Sequence, residues 1–137
     1  MKEYTRILVV DDEVLIQNIL RKILEKEGYQ VRTATSGSEA LKLMAAEPAD
    51  IVISDVRMPE MDGFELLKQL KESYPASGVI MMTGFSDAYS IKDALLLGAD
   101  EYVTKPFKSY EIALIVERTY WRMLSARNRE TREGQGA

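Results

Sequence analysis

Ile7-Leu8-Val9-Val10-Asp11-Asp12 is an unbroken apolar run that stops abruptly at two carboxylates. With no polar alternation, the run reads as a strand covered on both faces, as in a parallel sheet. The same form recurs along the chain. Ile51 to Ser54 ends at Asp55, Val79 to Met82 ends at Thr83-Gly84, and Glu101 to Thr104 ends at Lys105-Pro106. Tyr29 to Ala34 is a further, weaker strand, because it alternates with polar residues.

Helical patterns fill the gaps between these runs. Glu13 to Glu27 carries Leu15, Ile19 and Ile23 at helical spacing, and Gly28 follows as a C-terminal cap. Ser36 and Glu39 form a capping-box pattern for a helix reaching about Ala46, before Pro48 forbids its continuation. Met58 to Gly63 is rich in turn residues, with Asp62 placed to cap a helix bearing Phe64, Leu66, Leu67 and Leu70. Gly63 serves that turn and helix start. Tyr89 to Leu97 is a fourth helix closed by Gly98. Ser109 to about Ser125 is a fifth, with Ile112, Ile115, Val116, Tyr120 and Leu124 as its apolar stripe. Residues 126–137 are polar and contain glycine, so they read as a mobile tail or the start of a linker after a domain at 1–125. Regular strand–helix alternation predicts an α/β fold with a parallel sheet covered by helices on both faces.

Bulk properties narrow the function. The 137 residues suit one domain with a real core. The net charge of −4 gives no reason to expect nucleic acid or an anionic membrane as a direct partner. With no cysteine and no histidine, thiol nucleophiles, disulfides, Ser-His-Asp triads and histidine-based zinc sites are excluded on this chain. The polar start is unlike a signal peptide, and no apolar run approaches the roughly 20 residues of a membrane helix. A cytoplasmic location is the expectation.

In a parallel sheet every strand delivers its following loop to one edge, where open α/β sheets bind ligands. Asp11, Asp12, Asp55, Thr83 and Lys105 would then converge there, although they are scattered in sequence. Three carboxylates crowded together repel unless something neutralises them. A hard divalent cation does so, and Mg²⁺ (or Mn²⁺) suits a site of a few carboxylates, waters and phosphate oxygens. A carboxylate can also act as a nucleophile and form an aspartyl phosphate. Such a transfer needs chiefly positioning and charge stabilisation, which the metal, Lys105 and the Thr83 hydroxyl could supply. Blander readings exist for each part. Asp11-Asp12 can be a capped turn, Thr83-Gly84 a plain turn and Lys105-Pro106 a strand terminator. Tyr102 can be a core or snorkelling ring. Met58, Met61, Met81 and Met82 read as packing residues, and Trp121 as the end of a helix stripe or part of a dimer surface.

Taken in order, Ile-Leu-Val-Val-Asp-Asp-Glu (7–13), Ile-Val-Ile-Ser-Asp-Val-Arg-Met-Pro-Glu-Met-Asp-Gly (51–63), Met-Thr-Gly (82–84) and Gly-Ala-Asp-Glu-Tyr-Val-Thr-Lys-Pro-Phe (98–107) closely resemble the receiver domain of two-component response regulators. The resemblance spans about residues 5–125. It implies a flavodoxin-like (βα)5 fold with strand order 2-1-3-4-5. It implies Asp55 as phosphoacceptor, Asp12 and the Arg57 backbone carbonyl as Mg²⁺ ligands beside Asp55, and Asp11 holding the metal through water. Lys105 would contact the phosphoryl group and form a cis bond to Pro106. Thr83 and Tyr102 would form the switch to a readout face made of the fourth helix, fifth strand and fifth helix. A sensor histidine kinase or phosphotransfer protein would be the donor. An output domain or separate protein would be the receiver of the signal, with a homodimer through the readout face as a further option. Arg57 and Phe85 fall at positions expected to tune the lifetime of the phosphorylated state.

Two other function classes stay open on sequence. One is an aspartate-nucleophile phosphatase, which usually carries a second acid two residues after the nucleophile, where this chain has Arg57. The other is an interaction module that no longer uses phosphorylation. The expectation is a phosphoacceptor domain, not an enzyme.

Overall fold

The computed structural model describes residues 4–84 and 88–135, with side chains described for 4–84 and 92–127. Five strands, β1 (Arg6–Val10), β2 (Gln30–Ala34), β3 (Ile51–Asp55), β4 (Gly78–Gly84) and β5 (Glu101–Lys105), alternate with five helices, α1 (Val14–Lys26), α2 (Gly37–Ala46), α3 (Gly63–Ser73), α4 (Ala88–Leu96) and α5 (Ser109–Gln135). The strands form one sheet in the order β2-β1-β3-β4-β5, and every pairing is parallel. This is the doubly wound, flavodoxin-like order expected from the sequence.

The continuous apolar strands are explained by two cores, one on each face. Leu8, Val10, Val52, Val79 and Met81 point to the face covered by Ala40 and Met44 of α2 and by Leu66, Leu67 and Leu70 of α3. Ile7, Val9, Ile51, Ile53, Ile80 and Met82 point to the other, under Leu20 and Leu24 of α1 and Ile112, Val116 and Tyr120 of α5. Successive strand residues alternate between faces, so an apolar residue is needed at every position. The four methionines named above are packed in or against these cores, as expected. β2 lies at the sheet edge, which accounts for its polar composition.

Local chemistry fixes the helix ends. Ser36 accepts the Glu39 N–H at 3.1 Å, while the Glu39 carboxylate takes the Thr35 hydroxyl at 2.9 Å, so half of the capping box forms. Asp62 accepts the Glu65 N–H at 2.9 Å and starts α3. Gly28, at φ 101°, closes α1 in the left-handed region that glycine enters without a Cβ clash.

Two expectations need correction. In α1, Leu15 is 69% and Ile19 39% exposed, whereas the buried positions are Gln17, Leu20 and Leu24. Apolar residues stand at 14, 15, 16, 19, 20, 23 and 24, so the helix carries more apolar surface than one stripe can use. Packing against the sheet, not periodicity, selects the inward face. The fifth helix also does not end near Ser125 but continues to Gln135. Alanine, arginine and glutamate between 126 and 133 are good helix formers, and the first glycine comes only at 134.

Gly63 is held by more than a turn. Its N–H donates to the Val56 carbonyl at 2.8 Å, bringing α3 against the end of β3. A Cβ built there would lie 2.1 Å from the Asp55 carbonyl oxygen and 2.8 Å from Val56 Cα. Those are backbone atoms that cannot swing aside. Gly63→Ala should therefore cost about 3 kcal/mol, the upper end for overpacking, as read by denaturant unfolding. A loss below half of that would mean that α3 shifts freely and that the approach is not required.

Candidate functional site: an acidic sheet edge bridged by a lysine

The strand register assembles the site. Val10 pairs with Ser54, so the next residues, Asp11 and Asp55, leave neighbouring strands side by side. Asp55 pairs with Met82, one residue before Thr83, and Gly84 pairs with Lys105. Residues separated by up to 94 positions thus meet at the carboxyl edge.

The Lys105 ammonium spans the centre. Its Nζ lies 3.2 Å from Asp11 Oδ2 and 3.1 Å from Asp55 Oδ2. Asp11 is fully buried and Asp55 nearly so, while Asp12 is exposed. One carboxylate oxygen from each of Asp11, Asp12 and Asp55 lies within 4.8 Å of the others. The remaining Asp11 oxygen accepts the Glu13 N–H at 2.8 Å, and Asp55 Oδ1 receives the Arg57 N–H at 3.4 Å.

The charges are unbalanced. Burial pushes the Asp11 carboxyl above its usual range; the Glu13 N–H and the Lys105 charge pull it down, and the neighbouring Asp55 adds to the rise. Burial alone would lower Lys105, but its hydrogen bond to Asp55 and the charges of Asp55 and Asp11 raise it overall. By formal charge, three carboxylates and one ammonium leave two negative charges over. A divalent cation matches that surplus in charge, and an all-oxygen donor set matches the preference of Mg²⁺. Asp11, Asp12 and Asp55 offer the carboxylate oxygens that could hold it.

Thr83 is fully buried, and its Oγ1 has no hydrogen-bond partner among the described residues. An unsatisfied buried hydroxyl costs free energy and is a donor waiting for an acceptor. Tyr102, paired with Met81 in β4, is half-buried. The Lys105-Pro106 peptide is cis. Arg57 is exposed at the loop surface, and Phe85 lies outside the described residues. Sequence reasoning overlooked Gln17, whose buried amide contacts the backbone beneath Asp11. Its only signal was a polar residue in the inward row of α1.

The sequence model described as a response regulator receiver domain matches residues 7–117. The chain belongs to the response regulator receiver family. It is 42% identical over 107 residues to the alkaline phosphatase synthesis transcriptional regulatory protein PhoP of Bacillus subtilis, covering 78% of this chain and 45% of PhoP. The solved structure of NtrX from Brucella abortus superposes with a TM-score of 0.89 at 31% identity, over 92% of this chain and 29% of that one. A response regulator receiver domain from Clostridium thermocellum gives 0.81 at 32% identity, over 86% and 95%. The receiver thus spans less than half of PhoP and under a third of the NtrX chain. Receiver domains generally bind Mg²⁺ through acidic residues, and the Asp11–Asp12–Asp55 cluster has that composition. Among the described residues, no helix is long and apolar enough to cross a membrane.

Lys105 competes with a metal for the same carboxylates. Lys105→Ala should therefore tighten Mg²⁺ binding by roughly tenfold in calorimetric titration, an effect of about 1.4 kcal/mol. Weaker binding in the variant would show that the ammonium orders the carboxylates more than it repels the cation.

Proposed function

We propose that this receiver accepts a phosphoryl group on Asp55 and converts it into a change of surface. The observation that carries the reading is the Lys105 ammonium bridging Asp11 and Asp55, together with the buried Thr83 hydroxyl, which has no partner among the described residues. An Asp55 carboxylate oxygen attacks the phosphorus of a phosphohistidine or acyl phosphate. The bond from phosphorus to the donor breaks, and its electron pair leaves with the donor. Bound Mg²⁺ supplies charge stabilisation for the oxygens of the transferred group. Lys105 stabilises a further phosphoryl oxygen, and Thr83 turns its hydroxyl toward the newly formed group. Positioning and electrostatics suffice, because phosphoryl transfer asks little else of the protein. Asp12, Asp55 and the Arg57 carbonyl would hold the metal, and Asp11 would support it through water.

In this reading the chain is a phosphoacceptor and not an enzyme with turnover. The exposed Arg57 stands where a dehalogenase-type phosphatase needs a general acid, which weighs against that alternative. Arg57 and Phe85 tune how long the phosphorylated state lasts. The donor is a histidine kinase or phosphotransfer protein, and the work takes place in the cytoplasm. Response regulators couple receivers to outputs, and PhoP, a relative, is by name a transcriptional regulator. Here the output domain or partner protein reads the face made of α4, β5 and α5. Engagement of Thr83 releases space into which the Tyr102 ring turns, and the phosphoryl group shifts the population between two forms of that face. The same face offers a homodimer contact.

Intact mass after incubation with acetyl phosphate tests this. One phosphoryl group should appear with Mg²⁺, and none should appear without it or in Asp55→Asn. Tyr102→Ala should take up the group normally yet lose the phosphorylation-induced chemical-shift changes of α4 and α5. Uptake by Asp55→Asn equal to the parent's would overturn the assignment of the acceptor, and unchanged shift responses in Tyr102→Ala that of the switch.

A further inference from the structure

We infer that Gln17 is a positioning residue for the metal-binding carboxylates, acting through the backbone of the β1–α1 loop. The inference rests on the Mg²⁺ site proposed above. Gln17 is 6% exposed and occupies the inward row of α1 with Leu20 and Leu24. A leucine there would extend the apolar core, whereas a buried amide must recover its lost hydration through hydrogen bonds. It does so with a single nitrogen. Nε2 donates to the Asp11 carbonyl at 2.7 Å and to the Ala34 carbonyl at 3.2 Å.

Those two carbonyls lie at the carboxyl ends of β1 and β2. The Ala34 oxygen also accepts the Asp11 N–H at 3.1 Å, so Gln17 closes a small ring that joins the two strand ends. Asp11 is consequently held at every polar group. Its N–H is on Ala34, its carbonyl on Gln17, one carboxylate oxygen on the Glu13 N–H and the other on Lys105.

The carbonyl contact matters most. The peptide group is planar, so fixing the Asp11 oxygen fixes the plane that leads to the Asp12 N–H and Cα. Asp12 is exposed, and its carboxylate joins the cluster from the Cα that this plane positions. Mg²⁺ demands near-octahedral geometry at short distances, so it is sensitive to small displacements of a ligand. Groups that orient metal ligands without touching the metal typically govern 10- to 100-fold in affinity. Gln17 makes no contact with the carboxylates and acts only through the backbone they hang from.

The test compares Gln17→Leu, which fills the space without donors, and Gln17→Asn, which keeps an amide too short to reach both carbonyls. Leu24→Val, in the same helix and away from the loop, controls for general loss of stability. Calorimetry with Mg²⁺ alone should show the parent binding, both Gln17 variants binding about tenfold more weakly, and Leu24→Val binding as the parent does. In the metal-free proteins, hydrogen exchange at the Asp12 and Glu13 amides should accelerate in the Gln17 variants only. Parent-like Mg²⁺ affinity in the Gln17 variants, or an equal loss in Leu24→Val, would overturn the role of Gln17 while leaving the metal site intact. No Mg²⁺ binding by the parent would instead bring down the metal site itself, and this inference with it.

Discussion

A half-buried ammonium shared between two carboxylates is the interaction around which this receiver is arranged. Lys105 meets Asp11 and Asp55 across the ends of three strands, within ion-pair and hydrogen-bond distance of both. In a largely desolvated setting such a contact is strong, and losing one partner leaves a charge without compensation. The parallel register is what permits it, since antiparallel strands would send these loops to opposite edges. The pair also leaves the edge short of positive charge. That shortage is the physical basis for a divalent cation.

The scaffold beneath the edge is correspondingly rigid. Asp55 closes a fully buried strand, and α3 approaches it so closely that Gly63 admits no side chain. Asp11 is fixed from four sides. Against this fixed background Thr83 holds a buried hydroxyl with no partner among the described residues. An unsatisfied donor beside a rigid acidic site is a local conflict, and a new anion at Asp55 would resolve it.

Much of this was legible before the coordinates. Strands β1, β3 and β4 are legible as continuous apolar runs because both of their faces are covered, and each run ends at a polar residue of the site. The inward face of α1 was not legible, since apolar residues surround more of the helix than the sheet can bury. The end of α5 is not legible, because the polar, glycine-containing stretch after Ser125 looks like a tail although no breaker occurs before Gly134. Gly63 was read as a turn residue, because a close approach between two segments leaves no mark in either. Gln17 was invisible for a related reason. Its partners are backbone carbonyls, and a sequence does not show where carbonyls point.

Of the three carboxylates at the edge, Asp55 is the one proposed to carry the phosphoryl group. Reduction of the phosphorylated protein with borohydride converts an aspartyl phosphate to homoserine, which peptide mass spectrometry then locates. The account predicts homoserine at position 55 alone, in the Mg²⁺-containing sample. Homoserine at position 11 or 12, or conversion that does not depend on Mg²⁺, would contradict it.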